Sequence, residues 1–231
     1  MDLPIIQSLH IGKEASLAGT NFLSAINKSR IEGKCLVTKI GLKNDEQADK
    51  INHGGLEKAI HQYAFENYNY WKEKLPECAI LDNAGAFGEN ISSLGMDEHT
   101  VRIGDQYKLG TCILEVSQAR QPCWKLNYRF NHAEMSEEVQ NSLKTGWYYR
   151  VIKEGEIEEG NKFELISRPF PDYPLQRLLN LLYKDALNFK ELELAIKIKP
   201  LADSWKKLFF KRIETKNIEN WQNRLLGATN K

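Results

Sequence analysis

The spacing of hydrophobic residues along the chain changes near residue 168. Before that point, short alternations of hydrophobic and polar residues predict β-strands. The predicted strands cover residues 22–31, 35–42, 101–116 (a hairpin that turns at Gly110), 147–153 and 162–167. Several short strands at such intervals favour a barrel or a folded-over sheet over alternating strands and helices. The first part of the chain is therefore predicted to be mainly β.

Helical spacing is rare in this first part. Hydrophobic residues from Phe65 to Leu75 recur at helical intervals, and Pro76 ends the run. A second helix is predicted at 134–144. We therefore expect a barrel or a folded-over sheet with a few helices inserted between its strands.

A proline-rich segment follows at residues 169–174, where neither a strand nor a helix can continue. Beyond it, leucines and aromatic residues recur at helical spacing from Leu175 to Leu225 and predict three or four short helices. The predicted organisation is a β-rich domain at 1–168, a linker at 169–174 and a small all-α bundle at 175–231.

The composition is that of an ordinary globular protein, with 42% hydrophobic and 27% charged residues. The net charge of +1 is unevenly distributed, because residues 172–231 carry 12 Lys and Arg against 7 Asp and Glu. The first residues lack the pattern of a signal peptide, and no apolar run reaches the length of a bilayer span. We expect a cytoplasmic protein with no membrane partner, and the near-zero net charge argues against nucleic acid.

The chain has four cysteines without paired spacing, which predicts reduced thiols and neither a disulfide nor a zinc site. Cys123 is the candidate for chemistry, because Arg120 and Lys125 flank it and nearby cations favour the thiolate that binds soft metals. The alternative is a structural thiol.

Two other segments could carry chemistry. Gly54 and Gly55 follow His53, and adjacent glycines let backbone N–H groups approach an anion while the imidazole adds a hydrogen bond. The alternative is an ordinary loop with a surface histidine. Glu89 and Asn90 offer acceptors and donors for the edge of a polar heterocycle, although the segment also fits a simple turn. Asp45 and Asp49, in the loop before His53, are expected to be solvated charges.

Together these segments resemble the MOSC family, named from the C-terminal part of molybdenum-cofactor sulfurases, and more specifically its stand-alone bacterial members with a three-helix tail. The motifs that carry the resemblance follow the family's order and lie at Asp45–Gly55, Phe87–Asn90, Gly104-Asp105, Ser117–Leu126, Gly146-Trp147 and Ser167-Arg168. The resemblance covers nearly the whole chain and implies a MOSC-type β-barrel.

The resemblance also implies a molybdenum cofactor held through one cysteine, and Cys123 stands at that position as metal ligand and catalytic residue. Mo accepts a soft thiolate, while the pyranopterin phosphate requires cations and backbone donors. The expected cofactor-binding residues are His53, Gly54, Gly55, Arg120 and Lys125 for the phosphate, and Glu89 and Asn90 for the polar edge of the pterin.

Relatives in this family reduce N-hydroxylated compounds, including hydroxylaminopurines, to amines, and others carry sulfur. The resemblance therefore implies a reductase acting on small N-hydroxylated substrates, and a sulfur carrier with a persulfide on Cys123 is the alternative. A reductase without a flavin fingerprint or an iron–sulfur cysteine cluster requires a protein electron donor. The basic helix at 201–213, with Lys206, Lys207, Lys211 and Arg212, could dock an acidic donor or could simply be a solvated face.

Overall fold

The computed structural model describes residues 3–17, 19–48 and 54–227. The strands are β1 Ile5–Gly12, β2 Ala15–Ser16, β3 Leu23–Ser24, β4 Lys28–Ile31, β5 Cys35–Thr38, β6 Gly41–Leu42, β7 Ile60–Ala64, β8 Ile91–Leu94, β9 Gln106–Leu109, β10 Cys112–Ala119, β11 Trp147–Lys153, β12 Gly155–Ile157 and β13 Glu164–Ser167. Eight of them form one sheet in the order β13-β9-β10-β11-β7-β8-β1-β4, antiparallel except for the β7–β8 pair. The fold is sheet-dominant, as predicted.

The closed barrel expected from the sequence is not confirmed. The eight-stranded sheet has two ends, β13 and β4, and a separate three-stranded sheet contains β12, β5 and β6. Backbone hydrogen bonds do join the start of β1 to residues 160–163, since Ile6 N–H donates to the Asn161 carbonyl at 2.9 Å. These bonds fold the sheet over on itself without making β13 and β4 neighbours.

The hairpin around Gly110 is confirmed as β9 and β10, but it begins later than predicted. Val101 and Ile103 are buried without forming a strand, and Arg102 makes one isolated bridge to Pro174. The strands β1, β7 and β8 were not predicted. All five residues of β7 are buried, so the chain lacks the alternation that marks a half-exposed strand.

Seven α-helices complete the described part of the chain: α1 Asn67–Lys74, α2 Lys125–Phe130, α3 Met135–Ser142, α4 Leu175–Tyr183, α5 Phe189–Ala195, α6 Asp203–Thr215 and α7 Gln222–Leu226. Helices α1, α3 and the tail helices α4 to α7 confirm the predicted periodicity. Helix α2, which directly follows Cys123, was not predicted. No helix among the described residues is long and apolar enough to cross a membrane.

The tail helices share a hydrophobic core with the sheet. Leu178 and Trp205 are almost completely buried and belong to the same cluster as Ile103 and Val116. A backbone hydrogen bond of 2.9 Å also joins the tail to the sheet, because Ala202 N–H donates to the Ser117 carbonyl in β10. This bond holds the start of α6 against the end of β10 that leads to Cys123. The domain boundaries at 168 and 175 remain a prediction.

Candidate functional site

An open cavity with a volume of about 80 Å³ lies beyond the end of β10. Six of the residues that line it carry charged side chains. The lining residues are Ser24, Ala25, Ile26, Lys28, Asp45, Glu46, Gln47, Ala48, Lys58, His61, Phe87, Gly88, Asn90, Arg120, Cys123, Lys125 and Tyr148. The structure therefore brings together four residues predicted from the sequence, namely Asn90, Arg120, Cys123 and Lys125.

Cys123 lies in the short loop between β10 and α2, and it is a buried, reduced thiol with 7% of its surface exposed. Its carbonyl accepts a hydrogen bond of 3.0 Å from Leu126 N–H, so the residue forms part of the first turn that leads into α2. The preceding Pro122 fixes one backbone torsion angle of the loop. A buried thiol at the wall of an open cavity remains accessible to a ligand while most of its surface is protected from solvent.

Arg120 and Lys125, on either side of Cys123, are both buried and both line the cavity. The backbone of Arg120 is fixed by a hydrogen bond of 2.9 Å from its N–H to the Gly146 carbonyl, which continues the pairing of β10 with β11. Within the described part of the chain, the Nη1 atom of Arg120 is buried and has no hydrogen-bond partner. A buried guanidinium nitrogen without an acceptor is costly, so this atom is suited to an anionic ligand.

A buried ion pair between Lys28 and Asp45 forms another part of the wall. Their side chains are only 7% and 1% exposed. Asp45 also accepts hydrogen bonds from Gly12 N–H at 2.6 Å and from the Asn90 amide at 2.8 Å. Asp45 is therefore not the solvated loop charge that we expected. Burial lowers the pKa of Lys28, and the neighbouring Asp45 partly offsets this effect.

Asn90 lines the cavity, but its side chain is held by the protein itself. The amide nitrogen donates to Asp45 and to the His10 carbonyl, and the side-chain oxygen accepts from His61 N–H at 3.1 Å. Each of these bonds ties β1, β7 or the Asp45 loop to the turn before β8. Asn90 thus fixes the shape of the cavity wall, and any direct contact with a ligand remains a prediction.

Glu89 lies behind the wall and not on it. Its fully buried carboxylate accepts hydrogen bonds from the Tyr68 hydroxyl at 2.5 Å, from Gly85 N–H at 2.8 Å and from the Ser92 hydroxyl at 2.9 Å. Phe87 N–H donates to its other oxygen at 3.1 Å. The structure therefore places Glu89 at the centre of the turn that presents Gly88 to the cavity, and its predicted contact with a pterin edge has no support in this geometry.

The glycine segment is placed only in part. Gly54 and Gly55 precede a short 3-10 helix at Leu56–Lys58, and Gly55 has a φ of 89°, a value that favours glycine. Neither glycine lines the cavity, although Lys58 at the end of the same helix does. His53 and Asp49 lie outside the described residues, so their predicted roles stay predictions.

His61 and Tyr148, on the neighbouring strands β7 and β11, were not predicted from the sequence. Their ring centroids lie 5.0 Å apart, and both residues line the cavity. Burial holds the pKa of His61 well below its ordinary value, and the charge of Arg120 lowers it further. Burial also raises the pKa of Tyr148. Both side chains are therefore neutral near pH 7, and His61 Nε2 is buried without a hydrogen-bond partner among the described residues.

Two family models match this chain. A family model described as the MOSC domain matches residues 49–164, and one described as a YiiM-like 3-alpha helix domain matches residues 174–216. The protein YiiM of Escherichia coli is 37% identical over 204 residues, which are 88% of this chain and 91% of that protein. The chain belongs to the MOSC family. This MOSC protein also resembles the crystal structure of YiiM from Escherichia coli, with a TM-score of 0.81 over 96% of this chain and 99% of that one at 30% identity.

Another relative of this MOSC protein is a Gibberella moniliformis protein named a reductase. It is 38% identical over 162 residues, which are 70% of this chain and 28% of that protein.

The residues of this MOSC protein that sequence reasoning missed share one property. Lys28, His61 and Tyr148 lie on three strands that are distant along the chain, and no local motif surrounds Lys28 or His61. Only the folded sheet brings them to the end of β10. One signal was available for Tyr148, because it directly follows the Gly146-Trp147 motif that opens β11.

The basic helix α6 of this MOSC protein presents fewer free cations than its sequence suggested. Arg212 is buried and donates to Glu219 at 2.6 Å and to the Leu182 carbonyl at 3.0 Å. It therefore joins α6 to α4 and lies in the interior. Lys207 and Lys211 are exposed, and Lys206 is partly exposed.

Proposed function

We propose that this protein binds a molybdenum-pyranopterin cofactor through the Cys123 thiolate and reduces N-hydroxylated bases or amines to amines. The observation that carries the proposal is the meeting of Cys123, Arg120 and Lys125 at one cavity. A soft sulfur ligand and two buried cations are the donor set that a metal with an anionic, phosphate-bearing ligand requires. Among the described residues no cluster of three or more His, Cys, Asp and Glu forms a metal site, and Cys123 is a cysteine that lines the cavity.

The unpartnered polar atoms support the same proposal. Arg120 Nη1 and His61 Nε2 belong to residues of the cavity wall and lack partners among the described residues. Arg120 and Lys125 would bind the phosphate, because both cations are buried where solvent screens them little. The neutral His61 would hold one polar group of the ligand by a hydrogen bond without adding charge.

When bound, the cofactor supplies the two-electron chemistry that removes an oxygen atom from the substrate. Converting R–NHOH to R–NH2 consumes two electrons and two protons and releases one water. The chain's own contribution is to orient the ligand through Cys123 and the two cations and to keep the thiol largely away from solvent.

The test is to express the full chain in a host that makes the cofactor. We expect Mo in a stoichiometric amount and reduction of a hydroxylaminopurine with a small artificial reductant. Metal-free protein with a labile sulfur atom on Cys123 would overturn the proposal and favour the sulfur carrier. Metal-free protein with an unmodified thiol, from a host that loads another molybdenum enzyme, would reject both functions.

The electrons must come from another protein, and we propose that an acidic donor docks on the exposed lysines of α6. Lys207 and Lys211 are exposed on the helix whose first residues are bonded to β10, the strand that leads to the cavity. Opposite charges speed the encounter of two proteins, and salt weakens this effect.

Replacing both residues, Lys207→Glu with Lys211→Glu, should slow turnover with a protein donor at low salt and leave turnover with a small reductant unchanged. The matched control changes two exposed lysines elsewhere, Lys34→Glu with Lys153→Glu, and alters the net charge equally. Equal slowing by both pairs would show a general charge effect and no docking on α6.

A further inference from the structure

The last helix of the chain returns to the loop that carries Cys123. Helix α7 lies beyond the part of the tail that the three-helix family model matches, which ends at residue 216. We propose that Arg224 in α7 is a positioning residue that holds Cys123 at the cavity. The inference rests on the proposed function in taking the Cys123 thiol as the group whose position matters.

Arg224 contacts both neighbours of Cys123. Its carbonyl accepts a hydrogen bond of 2.8 Å from Trp124 N–H, and its guanidinium donates to the Pro122 carbonyl. One residue from the far end of the chain therefore fixes the backbone on each side of the thiol. Pro122 has no N–H of its own, so its carbonyl is the polar backbone group through which it can be held.

The guanidinium of Arg224 is itself anchored in two places. Its second terminal nitrogen donates to the Gln140 side chain in α3 at 2.6 Å, and its carbon lies 5.7 Å from the centre of the Tyr183 ring in α4. A planar guanidinium can bridge two acceptors in fixed directions, which a lysine ammonium cannot do in the same way. The loop of Cys123 is thus tied through Arg224 to both α3 and the helical tail.

The neighbouring residue Leu225 strengthens this attachment. Its carbonyl accepts hydrogen bonds from the Asn127 amide in α2 at 2.9 Å and from the Ser136 hydroxyl in α3 at 2.8 Å. Helix α2 begins two residues after Cys123, so α7 holds both the loop and the helix that follows it. The tail then has a role at the active site, because it fixes the direction in which the thiol enters the cavity.

The experiment measures iodoacetamide alkylation of Cys123 in the metal-free, full-length protein across a range of pH, with the modified peptide identified by mass spectrometry. Arg224→Ala should react several-fold faster than the parent because the loop opens. Arg224→Lys keeps the charge but loses the bridge, and an intermediate rate is expected. Arg177→Ala is the matched control, because it removes a tail arginine that pairs with Glu191 and not with the loop.

In protein loaded with Mo, Arg224→Ala should lower metal retention about 10- to 100-fold, as loss of a supporting residue does at other metal sites.

A second variant covers the case in which Arg224→Ala does not fold. Gln140→Ala removes one anchor of the guanidinium and leaves Arg224 in place, and its Cys123 should also react faster. Parent-like alkylation at every pH in all of the Arg224 and Gln140 variants that fold would overturn the inference and leave the proposed function intact. Absence of Mo from the parent protein would instead reject the proposed function, while the alkylation rates would still decide the role of Arg224.

Discussion

The two ends of β10 each lead to a buried cysteine, and the two thiols have opposite surroundings. Cys112 begins the strand inside the apolar core, where its Sγ donates to the Leu109 carbonyl at 3.0 Å. Cys123 follows the other end and lines a cavity with Arg120 and Lys125. Burial alone therefore does not distinguish a structural thiol from the thiol that is proposed to bind the cofactor, since both residues are less than a tenth exposed.

The two thiols differ in their charged neighbours and in whether they line a cavity. Burial raises the pKa of Cys112 to about 12, so this residue behaves as a small hydrophobic side chain at neutral pH. At the other end of β10, two cations and a thiol line the same cavity. The reactive character of a cysteine is thus a property of the strand end at which the fold places it.

The largest expected effect concerns the exchange of each thiol for a hydroxyl. Cys123→Ser should abolish Mo retention and reductase activity, because a hydroxyl is a far poorer ligand for a soft metal. Cys112→Ser should keep both and lose about 1–3 kcal/mol of the free energy of unfolding, since the hydroxyl is buried in the core. The measurements are metal analysis and urea unfolding of both variants. Full Mo content in Cys123→Ser would show that Cys123 is not the metal ligand.

Secondary structure with regular spacing was predictable from the sequence, and contacts between distant segments were not. The tail helices and the turn at Gly110 follow from local patterns. Strand β7 was missed because every one of its residues is buried, and α2, which directly follows Cys123, was missed as well. The barrel was an expectation taken from the family resemblance, and the structure shows a sheet with two free ends instead.

The candidate site was likewise predictable only where its residues are close together in the sequence. Cys123, Arg120 and Lys125 come from one short segment, so a motif could group them before the fold was known. Glu89 was part of a motif as well, yet its carboxylate supports a turn, and a motif alone does not tell a ligand from a supporting residue. His61 had no such signal, because only the parallel and antiparallel pairing of β7 brings it to the cavity.

The next prediction tests the core end of β10 at high pH. The folded chain holds the Cys112 proton more tightly than the unfolded chain, so its contribution to stability is fully present below about pH 9 and is lost as the pH rises toward 12. Between about pH 8 and about pH 10.5, the parent should lose about 2 kcal/mol more unfolding free energy than Cys112→Ala. Buried tyrosines contribute equally to both proteins, so the difference between them reports Cys112. Identical pH profiles of unfolding free energy for the parent and Cys112→Ala would show that folding does not raise the pKa of this thiol.

The smallest effect is expected at the cavity end, at low pH. Burial and Arg120 lower the pKa of His61, so the unfolded chain takes up a proton near pH 6.5 that the folded chain does not. Stability from this residue is therefore present above pH 6.5 and falls as the pH decreases, by about 1 kcal/mol between about pH 7 and about pH 5.5.

His61→Gln should lose less unfolding free energy over this range than the parent, whatever its stability at pH 7. His10, whose pKa burial also lowers, is kept in every variant. If His61→Gln and the parent lose the same amount on acidification, His61 gains a proton in the folded protein. A charged imidazole would then join Arg120 and Lys125 in holding an anion, which would sharpen the contrast with the uncharged surroundings of Cys112.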